Sequence, residues 1–264
     1  MIAPLAYKYV ALAAMLAEIN YCAARLHLPV EVPVRERDIR QEFIPSPSVI
    51  GFGGRLDTEK YSFCFAMSGR LRFIVLLDDG RGTLSLREYQ ESLARKKSKI
   101  STQEAYRIAT NWLCALDVDV KRLEKGHRPI STQQFTRSWE SETNADLALP
   151  LFDVVWGDRL HPLIDIEISG VNGELMKLRQ EDDSYSRRPA ELITNMDKLL
   201  SISDQEFLKY TPEQRSNLVA QFAAVKYPPL VKPSPDTNNS NTGKNSVAAT
   251  NTPPSSMKGS VLEK

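Results

Sequence analysis

Between Leu151 and Gln180 the chain alternates apolar and polar residues in three short runs, and this stretch limits what the remainder can fold into. In 151–156, Phe152, Val154 and Trp156 fall on one side, with Leu151, Asp153 and Val155 on the other. In 163–169 the split is cleaner: Ile164, Ile166 and Ile168 oppose Asp165, Glu167 and Ser169. A period of two is that of a strand, and one polar side is that of an antiparallel sheet with a single buried face. Gly170-Val171-Asn172-Gly173 supplies residues that tolerate positive φ, which predicts a tight reversal. The chain then returns through 174–180 with Met176 and Leu178 opposite Lys177 and Arg179. A sheet with one apolar face has to be covered, and helical patterns stand on either side of it.

Upstream, Ser101 and Glu104 have the spacing of a capping box, in which each side chain satisfies a free backbone N–H of the other. Ala105, Ile108, Trp112 and Leu116 follow at helical spacing, with Ala109 and Leu113 widening the stripe, so a helix is predicted over 101–116. The run I-S-x-x-E-A-x-x-I-A from Ile100 to Ala109, followed by I-x-I-S-G-x-N-G-E-L from Ile166 to Leu175, resembles the PepSY-type domain. The resemblance covers roughly 100–180. It implies a small helix-on-antiparallel-sheet module of the kind found in propeptides of secreted metallopeptidases and in bacterial envelope proteins. Such modules associate with other proteins without catalysis, in an inhibitory or regulatory role.

Nearer the start, 5–28 carries a second helical pattern, with Leu12, Met15, Leu16, Ile19, Cys22, Ala23 and Leu26 on one side. Glu18 and Arg25 lie together on the opposite side, and Pro29 marks the end. The charges and the short apolar run 9–17 exclude a transmembrane span. Two readings of the segment stay open. Lys8, the run 9–17 and Ala23-Ala24 could serve as the basic, apolar and small-residue parts of a cleaved signal, although Glu18 speaks for a folded amphipathic helix.

Residues 29–60 are irregular, and Gly51-Phe52-Gly53-Gly54 has no Lys-Ser/Thr after it, so a turn or bulge is expected there rather than a phosphate loop. A hairpin is predicted over 61–77 around Ser68-Gly69, placing Phe65 across from Arg72 and Cys64 across from Phe73. Both of its faces are apolar, so it should be covered on both sides or lie where two units meet. Asp78-Asp79-Gly80-Arg81-Gly82 reads as a solvated turn before a strand at 83–87, and the basic run 95–99 as a solvated linker. Helix-then-strands occurs twice in succession, which suggests one topology used twice without a residue-level repeat.

Between 118 and 149 the pattern is weak: a strand is expected over 133–140, carrying Phe135 and Trp139, and a loop over 141–146. Beyond Gln180 the chain leaves the sheet through a charged segment. A short helix is expected over 189–200, Ser203 and Glu206 repeat the capping-box spacing, and Thr211-Pro212 starts a last helix carrying Leu218, Val219, Phe222 and Val225. From 230 to 264 the composition turns to Pro, Ser, Asn, Thr and Lys without an aromatic residue, so the tail is expected to be disordered.

The whole reads as an α+β chain of antiparallel sheet units, each covered by a helix in a PepSY- or cystatin-like arrangement, with a helical C-terminal segment and a disordered tail. Its divisions fall at 1–28 (helix or signal), 29–99 (completing the first helix-plus-hairpin unit), 100–189 (the PepSY-like unit), 190–229 and 230–264. A formal net charge of +1, from 34 basic and 33 acidic residues, predicts no general attraction to nucleic acid or an anionic membrane. Cys22, Cys64 and Cys114 are too widely spaced for a metal knuckle and are expected as buried thiols. His27, His127 and His161 form no HExxH pattern, and no nucleophile elbow or dinucleotide fingerprint occurs.

No cofactor or metal site is expected. What remains is the polar side of the central strands, Asp165, Glu167, Lys177 and Arg179, expected as an exposed face for a protein or peptide partner. Asp165 and Glu167 lie about 7 Å apart by strand rise, a spacing that also suits a glycosidase-type carboxylate pair. The expectation is therefore a non-enzymatic binding or regulatory module of the bacterial envelope, periplasmic or secreted, with a cytoplasmic location as the alternative. A hydrolase using that pair, or an assembly protein associating through hairpin 61–77, are the competing readings.

Overall fold

The computed structural model describes residues 3–47, 53–77, 96–137 and 148–223, with backbone alone at 134–137 and 148–149. The first helix, α1 (Leu5–Leu26), contains Lys8, the run 9–17 and Ala23-Ala24, and ends at His27 in a left-handed conformation, φ 51°. Strands β1 (Gln41–Phe43), β2 (Gly54–Asp57), β3 (Tyr61–Phe65) and β4 (Leu71–Leu76) follow as an antiparallel meander. Helix α2 (Thr102–Ala115), a short α3 (Val120–Gly126) and strands β5 (Ile130–Arg137), β6 (Ala148–Gly157), β7 (Pro162–Ser169) and β8 (Leu175–Gln180) form a second meander. The last strands of the two meanders, β4 and β8, pair antiparallel. One eight-stranded open sheet results, in the order β1-β2-β3-β4-β8-β7-β6-β5. After it come α4 (Met196–Leu200), α5 (Asp204–Leu208) and α6 (Pro212–Phe222). The molecule is thus mixed α+β, and the described residues all belong to one compact unit.

The register places Phe63, Ile74, Leu178, Ile166 and Val154 in one transverse file. All five are at most 1% exposed, and with their neighbours Phe152, Trp156, Ile164 and Ile168 they form the inner face. Both helices pack on it, α2 bringing Tyr106 to 6.4 Å from the Trp156 ring centre. Burial of side chains this large, at about 25 cal/mol per Å² of apolar surface, is the main term holding helices to sheet.

Several expectations change on folding. The buried line of α2 is Ala105, Ala109 and Leu113, while Ile108 and Trp112 are half-buried. Its inward face is therefore turned about one residue from the stripe read in sequence, because β5, β6 and β7 approach it on that side. Cys114, expected in the core, is exposed and Cys64 is half-buried; only Cys22 is fully buried. Ser101 accepts from the Glu104 N–H at 3.2 Å, but Glu104 turns to Arg107 at 2.5 Å instead of closing the box. At Thr211 and Gln214 both halves of a capping box are present. Helix α3 was not visible in the weak 118–149 pattern, though Asp119 caps it. Strand β5 begins three residues before the expected 133, and the helix expected over 189–200 is confined to 196–200 after Asn195 at φ 51°.

At hairpin 61–77 Cys64 pairs with Phe73 as expected, but a bulge after Cys64 sets Phe65 against Leu71 rather than Arg72. Leu71 thereby joins the inner face at 5% exposure. With β4 bonded to β8, the doubly apolar hairpin lies where the two meanders meet.

Helix α1 departs furthest from its sequence pattern. It touches β4 on one side and α4, α5 and α6 on another, so its buried residues run from Ala6 and Tyr7 through Glu18 to Leu26. Glu18 does not face solvent with Arg25; it is 1% exposed. No helix among the described residues is long and apolar enough to cross a membrane. The strand at 83–87, the loop at 141–146, Trp139 and the tail from 230 lie outside the described residues.

The glycine group at 51–54 has a steric explanation where it is described. Gly53 donates to Phe65 O at 2.8 Å, and a Cβ on it would meet the Ala66 carbonyl oxygen at 1.8 Å. Gly53→Ala has to push β2 off β3, so a loss of about 2 kcal/mol or more is expected, within the range of overpacking. A urea midpoint unchanged from the parent would show that the strands part without penalty.

Candidate functional site

The polar side of the central strands becomes the outer face of the sheet. Thr132, Asp153, Glu167 and Lys177 stand in one transverse file, continued by Val75, Ser62 and Asp57. The adjacent file holds Val155, Asp165, Arg179 and Phe73. Strands impose this because side chains two apart share a face, while neighbouring strands stand about 5 Å apart.

Lys177 is the centre of the group. Its Nζ donates to Asp165 Oδ2 at 2.6 Å and to Glu167 Oε1 at 3.0 Å. Burial pulls the Lys177 pKa down, but the hydrogen bonds and charges of Asp165 and Glu167 outweigh it and leave the group above its usual value. Arg179, expected in the same set, instead gives its Nε to Glu181 Oε1 at 2.7 Å. The structure therefore brings together three of the four expected residues, but not as the exposed face expected: Asp165 is only 6% exposed, and Glu167, Lys177 and Arg179 are half-buried.

Sequence reading missed the fourth member, Asp153. One oxygen from each of Asp153, Asp165 and Glu167 lies within 4.8 Å of the others, the single such grouping among the described residues. Asp153 opposes Glu167 across β6 and β7 and is diagonal to Asp165. Burial, then the hydrogen bond and negative charge of Asp165, raise its pKa to about 7, with Glu167 adding and Lys177 opposing. Its place on the polar side of an apolar strand was legible, but the register that sets it beside Asp165 was not.

Chemically the group is three carboxylates around one ammonium. Convergent carboxylates suit a hard cation, yet the ammonium of Lys177 already occupies the position between Asp165 and Glu167 that such an ion would take. In the first meander the same face carries Asp57, 4% exposed, held by Ser62 at 2.6 Å and by Arg55 through two nitrogens at 2.8 Å each. His27 caps α1, His127 lies 3.1 Å from the Tyr185 hydroxyl, and His161 is exposed in the β6–β7 turn. None of the three belongs to the acidic group.

No protein-family model matches the chain, and neither a curated protein nor a solved structure matches it.

Proposed function

We propose that the chain is a non-enzymatic binding or regulatory module of the bacterial envelope, PepSY-like in its second half, that meets a protein or peptide partner with the outer face of its sheet. The observation that supports this is the state of the carboxylates. Asp165 and Glu167 are both held in hydrogen bonds by one lysine. A hydrolytic pair needs one carboxyl free to protonate a leaving group and the other free to attack or to activate water. Paired charges at the surface of a sheet steer and orient a partner more than they add affinity. Association through hairpin 61–77 would have to use this same face, since the edges of β3 and β4 are both bonded to neighbouring strands.

The test is a photo-crosslinking amino acid placed in the native cell at Thr132 or Arg179, both on the outer face, with Arg107 on α2 as the control position. Adducts with one polypeptide at the sheet positions and none at Arg107 are expected. Equal labelling at all three would remove the outer face from the reading. A substrate turned over by the parent and spared by Asp165→Asn/Glu167→Gln would replace it with the enzymatic one.

A further inference from the structure

Three carboxylates and one cation leave two negative charges uncompensated, and geometry says which carboxylate has no cation of its own. Lys177 reaches Asp165 and Glu167, and no cation among the described residues is bonded to Asp153. Asp153 Oδ1 and Asp165 Oδ1 are both buried and both lack a hydrogen-bond donor among the described residues. Two desolvated carboxylates with an oxygen of each within 4.8 Å of the other, one on a side chain only 9% exposed, are unfavourable unless a proton stands between them. Among the described neighbours, Thr132 carries a hydroxyl across from Asp153 on β5 but leaves Asp153 Oδ1 unbonded, Val155 across from Asp165 is apolar, and Arg179 on β8 is turned to Glu181.

We propose that Asp153 and Asp165 share one proton across β6 and β7, and that this pair is a proton-operated switch of the charge and stability of the outer sheet face. The proton comes from solvent, sits on Asp153 and is donated to Asp165. With it bound, the group of Asp153, Asp165, Glu167 and Lys177 carries a net −1; without it, −2. Burial and the Asp165 charge hold Asp153 at about 7 instead of 3.8, so the transition falls near neutrality. Because the folded pKa lies above the unfolded one, the folded state binds more protons between those values. The stabilisation is complete below the ordinary aspartate range and is lost as pH rises through about 7.

Carbon-13 NMR of the side-chain carboxyls of the full chain, from pH 3 to 9, tests this directly. One aspartate signal is expected to titrate near neutrality, and to be absent from Asp153→Asn. Urea unfolding supplies a second readout. The parent midpoint should fall between pH 5 and pH 8 by more than that of Asp153→Asn, whose amide donates to Asp165 at every pH. If that variant does not fold, Glu167→Gln serves instead: removing one repelling charge should lower the titration midpoint without abolishing it. A parent in which every aspartate titrates below about pH 5 overturns the proposal. So does a neutral titration that persists in Asp153→Asn, or one erased by micromolar calcium, which would make a metal ion the occupant.

Discussion

Glu18→Ala is expected to lower the stability of the fold by about 3–5 kcal/mol, the range for removing one partner of a buried ion pair. Glu18 lies inside α1, and its Oε2 accepts from Arg188 while its Oε1 accepts from the Leu71 N–H at 3.3 Å and lies 4.0 Å from Arg70 Nε. Arg70, 3% exposed, is fixed in turn by the Pro189 carbonyl at 2.7 Å and the Ser186 hydroxyl at 2.9 Å. The Tyr21 ring stands between the guanidiniums of Arg25 and Arg188, 3.7 and 3.8 Å from their central carbons, and its hydroxyl donates to Asp117. Burial, reinforced by that hydrogen bond, keeps the Tyr21 hydroxyl well above its usual range and therefore neutral. One carboxylate thus joins α1, the β3–β4 turn and the segment after β8.

Taking the carboxylate away leaves two arginines short of counter-charge in a site that water does not reach. That penalty, more than any lost attraction, sets the size of the effect. Glu18→Gln should lose less, since it keeps an acceptor for Leu71 and Arg188. The paired change Glu18→Leu with Arg70→Met should recover part of the loss, because both charges leave together. Urea midpoints for the four proteins measure all of this. A Glu18→Ala midpoint equal to that of the parent would mean that the network opens to solvent and binds nothing tightly.

Trp156→Ala is the second large effect, expected at about 3–5 kcal/mol for emptying the space of a buried indole. Trp156 is 0% exposed on the inner face and packs beside Tyr106. Its Nε1 is buried without a hydrogen-bond acceptor among the described residues, an arrangement that itself opposes folding by about 1–3 kcal/mol. Trp156→Phe removes that N–H along with part of the ring, so its loss should be well below that of the alanine variant. Trp112 supplies the comparison. It is half-buried on α2, so Trp112→Ala should lose only about 1–2 kcal/mol, in proportion to the apolar surface it withdraws from water. Denaturant unfolding of the three variants ranks them, and a Trp112 loss as large as that of Trp156 would place the α2 face back on the line read from sequence.

These residues separate what is local from what is not. The strands at 151–180, the reversal at Gly170–Gly173 and the helix after Ser101 were legible because each follows from side-chain period, positive-φ tolerance or an N-cap, all set within a few residues. Asp165, Glu167 and Lys177 sharing a face follows from the same period of two. Four things had to wait for the tertiary structure: Asp153 beside Asp165, Leu71 turned inward by a bulge, Trp112 half out of the core, and Glu18 buried with two arginines. Each depends on which strand lies next to which, at what register, or on what packs against the far side of a helix. A strand's own pattern says which residues share a side but not what stands 5 Å away on the neighbouring strand. A helix's own pattern shows one apolar stripe, and α1 is enclosed on more than one side by elements as distant in sequence as α6. The sequence by itself determined the elements and the faces of the sheet; register and enclosure, which are relations between distant segments, assembled the acidic group and buried Glu18.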